Sequence, residues 1–362
     1  MAKDRYFLWL VGMVCGLPHS AVFAQQYQYL NLGNGSVSAI NNAGRAVGSL
    51  FNSSGTLQAV QWDNGAATFL SSSAASSSAY AINNAGQVAG QSWPRAYVWS
   101  NGAVTSLAIK ANYGIGSAVG INDSGLVVGN VEGVSSNWPS AVVWNGFDVT
   151  PLSNAGGTRS FVTGINNSGL ISGYIYGLPG TENPQAAIWQ GSSVTLLPNL
   201  RPTNGMSKAT AVNNNGVAVG TSIDSSGTGY AIAWENGELT RLKNLSRDDL
   251  ALGISDLGLV VGQMNANGGS AHAALWDPKS GLGIDLNAFV APGVIPKGIT
   301  LVSATGVNNS GDIVGTFYDK ATGNFGAYEL LAVPEAGTQL MWGIGLFALF
   351  LRSRRVRSCK AA

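Results

Sequence analysis

The hexapeptides "AINNAG" at Ala39–Gly44 and "AINNAG" at Ala81–Gly86 are identical and 42 residues apart. Five variants follow: "GINDSG" from Gly120, "GINNSG" from Gly164, "AVNNNG" from Ala211, "GISDLG" from Gly253 and "GVNNSG" from Gly306. The seven copies are spaced by 42, 39, 44, 47, 42 and 53 residues. Recurrence at this period is the mark of a repeat architecture. Asn folds its side chain onto its own backbone and tolerates turn geometry, and the Gly supplies positive φ at the end of the turn. The motif therefore carries shape rather than chemistry. A calcium loop is the rival reading, but only Asp123 and Asp256 place acids inside the motif, and no bidentate Glu follows at the required distance.

Each copy continues alike. A short apolar run ending in Gly follows, as in "RAVG" from Arg45 and "LVVG" from Leu126. After a variable loop comes a segment that usually ends in Trp: "AVQW" from Ala59, "AYVW" from Ala96, "AVVW" from Ala141, "AAIW" from Ala186, "AIAW" from Ala231 and "AALW" from Ala273. The seventh copy has "AYEL" from Ala327. A tight turn such as "DNG" at Asp63 leads to a fourth short segment ending in Leu, as in "AVTSL" from Ala103. Four short strands per repeat describe an antiparallel four-stranded sheet. The Trp is a large apolar anchor that the next sheet is expected to share.

Sheets of this size repeated seven times predict an all-β, seven-bladed β-propeller. The alternatives are an open β array or another blade count. Closure is favoured because the seventh copy lacks its fourth strand, while a spare alternating strand, Tyr27–Leu32, precedes the first motif. Pairing that strand into the last blade closes the ring and removes an exposed edge.

Composition fits this architecture. Charged residues make up 10% of the 362, against about 25% in an average soluble domain. Glycine is abundant at 49, and the 45% apolar content with ten Trp excludes a disordered chain. Between Gln25 and Glu335 there are 12 basic and 17 acidic residues, a balance of −5. Such a body has no electrostatic footprint for nucleic acid.

The two ends differ from the body. Residues 1–24 carry a basic start (Lys3, Arg5), a twelve-residue apolar run from Tyr6 to Leu17, and small residues Val22 and Ala24 before Gln25. That layout predicts a secretory signal helix, too short to span a membrane. Cys15 raises a lipoprotein reading, against which Val14 is too bulky. Residues 333–362 combine Val333-Pro334-Glu335, an apolar run from Leu340 to Leu351, and Arg352, Arg354, Arg355 and Arg357. The run predicts a short transmembrane helix whose basic cluster stays cytoplasmic. This tail resembles the PEP-CTERM sorting signal of Gram-negative bacteria, with Ala336 departing from the usual second Pro. The resemblance implies an exosortase-type processing enzyme as partner, transient inner-membrane anchoring, and release to the cell surface. A plain permanent anchor is the alternative. The only cysteines, Cys15 and Cys359, lie in these segments, so residues 25–332 rely on packing rather than disulfides.

The repeats, over roughly Tyr27 to Leu331, resemble the HAF-repeat extracellular proteins, with "HAALW" from His272 closest to the naming His-Ala-Phe. The resemblance implies fold and location and no activity.

Catalytic candidates are sparse. His272 is the only histidine of the body, which excludes two-His metal sites and any relay needing a second His. Its slot holds Gln58, Arg95, Ser140, Gln185, Tyr230 and Gly326 in the other copies, which reads as a solvent-facing strand position. Asp248 and Asp249 are adjacent in a loop and are expected to point apart. "GIGSAVG" from Gly114 leads into a strand, not a helix, so it is not a nucleotide loop. No cofactor, metal site or catalytic group is called for. The expectation is a non-enzymatic structural, adhesive or carbohydrate-binding protein whose partner is an exopolysaccharide or other cell-surface glycan. A polysaccharide-active hydrolase, with carboxylates that meet only in space, is the alternative. The binding candidates are aromatics that break the repeat after the second strand: Trp93 in "SWPRA", Trp138 in "NWPSA", and Tyr174 and Tyr176 in "YIYGLPG". They are expected to form a sugar-stacking patch across the second to fourth blades, on the face of the variable loops. Their alternative role is to cover the blade rims, packed on Pro94 and Pro139.

Overall fold

The computed structural model describes residues 26–333 except 71–74, 110–112, 134–138, 147, 202, 243–245, 267–268 and 278–281. The expected signal segment, Trp138, Pro334, Glu335, the terminal apolar run and the Arg cluster lie outside the described residues. Among the described residues no helix is long and apolar enough to cross a membrane.

The described strands form seven antiparallel sheets of four. In the first blade Gly35–Ile40, Arg45–Phe51, Leu57–Asp63 and Ala66–Phe69 follow in chain order. The innermost strands of the other blades are Ser77–Ile82, Tyr113–Ile121, Arg159–Ile165, Met206–Val212, Leu250–Ile254 and Ile299–Val307. Residues of all seven innermost strands line one central cavity of about 230 Å³. The sheets therefore stand around an axis, as a seven-bladed β-propeller. Tyr29–Leu331 is one compact unit.

The seventh blade takes Ile299–Val307, Ile313–Asp319 and Asn324–Val333 from the C-terminal end, and Gln26–Gly33 as its outer strand. A repeated bond confirms that this strand fills the vacant fourth place. Trp144, Trp189 and Trp234 each donate their indole N–H to a carbonyl just beyond the preceding blade's outer strand: Ala108, Ser153 and Pro198, at 2.6–2.7 Å. Trp62 makes the same bond to Leu32, at 3.1 Å, although the partner now comes from the other end of the blade sequence. These bonds also correct one expectation. The Trp is shared with the preceding sheet, not the next: Trp62 packs with Val314 and Ala327, and Trp144 with Ala89, Ala96 and Leu107.

The second Gly of the repeat has a steric cause. Every innermost strand carries a register shift at the same point, such as Val37/Ala39 and Ala118/Gly120. The shift presses the innermost strand's backbone onto the second strand. A Cβ on Gly48 would land on the carbonyl oxygen of Ser36, and one on Gly129 on that of Ser117. The turn glycines have the other cause, positive φ, from 73° at Gly44 to 87° at Gly311.

The two Asn positions do more than shape their own turn. Asn41 Oδ1 accepts from the N–H groups of Ala43 and Arg45, both at 3.0 Å, as expected of a local Asn turn. Its Nδ2 then donates to the carbonyl of Asn83 in the next blade, and Asn83, Asn122, Asn166, Asn213 and Asn308 repeat the bond at 2.9–3.2 Å. Asn308 closes onto Asn41. The next position builds a second ring. The N–H groups of Asn42, Asn84, Asp123, Asn167, Asn214, Asp256 and Asn309 each donate to the following blade's Oδ1 at 2.8–3.0 Å. Each such bond contributes about 1 kcal/mol, and none is visible in a single repeat.

Candidate functional site

Antiparallel order puts the Asn turns on one face of the propeller and the loops after the second strands on the other. The two faces differ in chemistry.

On the turn face the channel opens as a cavity of about 160 Å³ lined by the Asn and Asp rings. Asp123 Oδ1 accepts from Asn84 N–H at 2.8 Å, and its Oδ2 from Asn84 Nδ2 at 2.9 Å and Asn167 Nδ2 at 2.7 Å. Asp256 is held alike by Asn214 and Asn309. Burial works to raise both pKa values, but these donors outweigh it and keep each carboxyl below its ordinary range. Both acids are thus committed to holding neighbouring blades together. Among the described residues no group of three His, Cys, Asp or Glu stands close enough to hold a metal ion.

Elsewhere the titratable candidates serve the scaffold. His272 is not solvent-facing. It is about one-fifth exposed, with Nδ1 2.7 Å from Asp285 Oδ2. Asp285 in turn caps the short helical turn Leu286–Phe289 by accepting from Asn287 N–H. The same slot is buried at Gln58, half-buried at Ser140, Gln185 and Tyr230 and exposed at Arg95, so its surroundings differ from blade to blade. Asp248 and Asp249 do point apart: Asp248 accepts from Gly229 N–H at 2.8 Å, and Asp249 is buried against Ser246.

The opposite face carries the aromatics. Trp93 is 59% exposed, directly after the strand Val88–Ser92. Tyr174 and Tyr176 lie within the strand Leu170–Tyr176 rather than in the loop beyond it. Their rings meet edge-on at 5.7 Å. Phe161, paired with Tyr174 across the ladder, stacks on it at 5.0 Å. Arg159 Cζ lies 4.5 Å from the centre of the Tyr176 ring, and Lys208 Nζ of the fifth blade 4.8 Å from that of Tyr174. Burial, followed by the neighbouring Tyr176, raises the Tyr174 pKa, so its hydroxyl stays a donor. Trp93 forms no ring pair with either tyrosine among the described residues. The structure thus brings two of the four expected residues together, leaves Trp93 apart, and does not describe Trp138.

Three residues beyond the second-strand Gly, one slot holds Phe51, Trp93, Tyr176 and Tyr318 in four of the seven blades. Sequence reading missed Phe51, which is 60% exposed and lines a groove of about 440 Å³ with Leu57 and Phe325. It also missed Arg159, Phe161 and Lys208. Counting positions from that Gly is the signal that would have found Phe51, since its repeat shows no Trp-Pro pair.

No family model matches the chain, and neither does any curated protein. Solved structures do. The extracellular domain of BT4673 from B. thetaiotaomicron aligns with a TM-score of 0.52 and 6% identity, over 84% of this chain and 39% of that one. A Mycobacterium tuberculosis puromycin-hydrolyzing peptidase aligns with a TM-score of 0.52 and 9% identity, over 84% of this chain and 52% of that one. TolB from Acinetobacter baumannii aligns at 0.45 and 14%, over 66% and 62%. The chain spans only 39–62% of the length of these proteins. At such identities the likeness shows the propeller fold alone.

Proposed function

We propose that this chain is an exported, non-enzymatic propeller of the cell surface or extracellular matrix, structural, adhesive or carbohydrate-binding, and sorted by an exosortase-type enzyme. The observation that carries the reading is the shared aromatic slot. Phe51, Trp93, Tyr176 and Tyr318 occupy equivalent ends of the second strands, so rigid rings stand on one face. Rings of this kind stack on sugars with little loss of conformational freedom. The non-enzymatic part is supported by the channel mouth, where Asp123 and Asp256 are occupied by amide donors. Export is supported by the signal-like start and the PEP-CTERM-like tail.

Retention of the purified chain on the source organism's exopolysaccharide tests the binding. Trp93→Ala with Trp138→Ala is expected to weaken retention at least about tenfold, the scale of losing one buried stacking contact, with the melting temperature nearly unchanged. Unaltered retention, or a large fall in melting temperature, returns both residues to the scaffold. Release of reducing sugar would replace this reading with the hydrolase. Intact mass of surface-extracted protein is expected to lack residues 1–24 and the Arg-rich end; a mass retaining Arg352–Ala362 indicates a permanent anchor.

A further inference from the structure

We propose that the junction of the fourth and fifth blades is a site for an acidic sugar, a uronate unit of an extracellular glycan, whose ring packs on Tyr174 and Tyr176 and whose carboxylate is taken by Lys208 with Arg159. The inference rests on the glycan-binding reading and names its ligand class.

The repeat itself marks the place. Just ahead of the register shift, one innermost-strand slot is Ser36, Ser78, Ser117 and Ser303 in four blades and Leu250 in a fifth. In the two adjacent blades that remain it is Phe161 and Lys208. The facing second-strand position, Ser49 in the first blade and Thr221 in the fifth, is Tyr174 in the fourth. Two neighbouring repeats thus carry two rings and a cation at slots that hold smaller polar groups in most blades, and the propeller places them in one cluster with Tyr176 of the shared aromatic slot.

The cluster's geometry suits a carboxylated ring. Phe161 stacks on Tyr174 at 5.0 Å and meets Tyr176 edge-on at 5.9 Å, which constrains the tyrosine rings. Lys208 Nζ is 4.8 Å from one tyrosine centroid and 5.9 Å from the other. An ammonium over a ring face can point one of its three N–H donors at the ring and keeps the others for an acceptor. Among the described residues no carboxylate pairs with Lys208. Arg159, Phe161, Tyr174, Tyr176 and Lys208 are all half-buried, so each keeps some accessible surface. Stacking alone would hold a neutral sugar without employing Lys208. A polyphosphate backbone would meet a body with a net charge near −5. A uronate supplies both an apolar ring face and an anion at the ring's edge, which matches tyrosines flanked by Lys and Arg.

Calorimetry and affinity electrophoresis of the intact chain with polygalacturonate, dextran and duplex DNA test the assignment. Polygalacturonate is expected to bind at low ionic strength and to weaken as salt rises. Lys208→Gln is expected to weaken it about tenfold, the loss of one charge-assisted bond, with an unchanged melting temperature, and Lys208→Arg to restore it. Tyr176→Ala is expected to weaken it as well. Binding of polygalacturonate unaffected by Lys208→Gln, or DNA binding of equal strength, overturns the site. Binding of dextran alone overturns the charge assignment and leaves glycan binding standing. Binding of neither polygalacturonate nor dextran, with the source exopolysaccharide also unretained, overturns both.

Discussion

Replacing Glu329 with Gln is expected to remove a pH-dependent weakness at the seam where the ring closes. Glu329 lies in the third strand of the seventh blade, in the slot filled by Gln61, Val98, Val143, Ile188, Ala233 and Leu275 elsewhere. That slot faces the following blade: Val98, Val143 and Ile188 each pack into the next blade's core. Glu329 therefore faces the first blade, beside Ala327, which packs with Val37 and Ala46. Its side chain is fully buried, and neither carboxyl oxygen has a hydrogen-bond partner. Burial, followed by the charges of Asp312 and Asp63, pushes its pKa from 4.5 up to about 7. Below pH 4.5 the group is protonated whether the chain is folded or unfolded, and it has no effect. Between 4.5 and about 7 the unfolded chain gives up its proton while the folded chain keeps it, so stability falls as pH rises. Above that window the full loss remains, about 3 kcal/mol at about 1.4 kcal/mol per pKa unit. The Gln variant does not titrate. Urea unfolding at pH 5 and pH 8 is expected to show the wild type losing about 2.5 kcal/mol more than the variant across that interval, because part of the loss is already present at pH 5. At pH 8 this corresponds to a melting temperature about 5 °C higher for the variant, on the entropy of a chain of this size. Equal pH dependence in the two proteins, or a wild type that gains stability relative to the variant over this interval, would refute the reasoning.

The remaining expectations concern the ring. Ser255 stands where six blades have the amide-bearing Asn, so Ser255→Asn is expected to supply the missing bond to the seventh blade and to raise stability by about 1 kcal/mol in urea; no gain would mean the seam is already satisfied. Gly129→Ala puts a methyl onto the carbonyl of Ser117 and against the Trp144 ring, and is expected to cost about 3 kcal/mol or prevent folding, whereas Gly102→Ala, where no atom lies within 4 Å of the new methyl, is expected to cost only the strain of its positive φ. Removing residues 25–32 deletes the acceptor of Trp62 and uncovers the edge of Asn324–Val333; an unchanged melting temperature and no aggregation would show that the outer strand is dispensable.

Much of this fold was legible because its signals are local. The period, the tight turns and the missing fourth strand are read within one copy or by counting copies, and Asn64-Gly65, with φ of 49° and 78°, adopts the left-handed turn that its sequence demands. The inter-blade bonds were not legible, because Asn41 and its acceptor Asn83 are 42 residues apart and meet only once both blades exist. A trace was present nonetheless. The fourth motif position is Asn or Asp in all seven copies, more restricted than a turn requires, since Ser and Gly also suit turns. A second ring that needs an Oδ1 at every position explains the restriction. The direction of the Trp was unreadable for the same reason: its side of the sheet depends on blade order around the axis, which no single repeat encodes.

The candidate site was legible only where a repeat was broken by a conspicuous residue. Trp93 stands out beside Pro94, but Phe51 occupies the equivalent slot in a repeat with an ordinary loop, and Lys208 replaces a Ser inside a strand. In a protein made of near-copies, packing explains whatever the copies share. The seven turn glycines, the strand-two glycines and the Asn rings belong to that class. What packing does not require is a departure that the scaffold tolerates without being improved by it. The side chains of Lys208 and Tyr174 add no bond to the blade ladders, and Glu329 buries both of its carboxyl oxygens without a hydrogen bond. The two departures differ in accessibility. Lys208 is half-buried and keeps some accessible surface, whereas Glu329 is enclosed. On physical grounds the first is a place for recognition and the second a setting of the strength with which the ring stays closed.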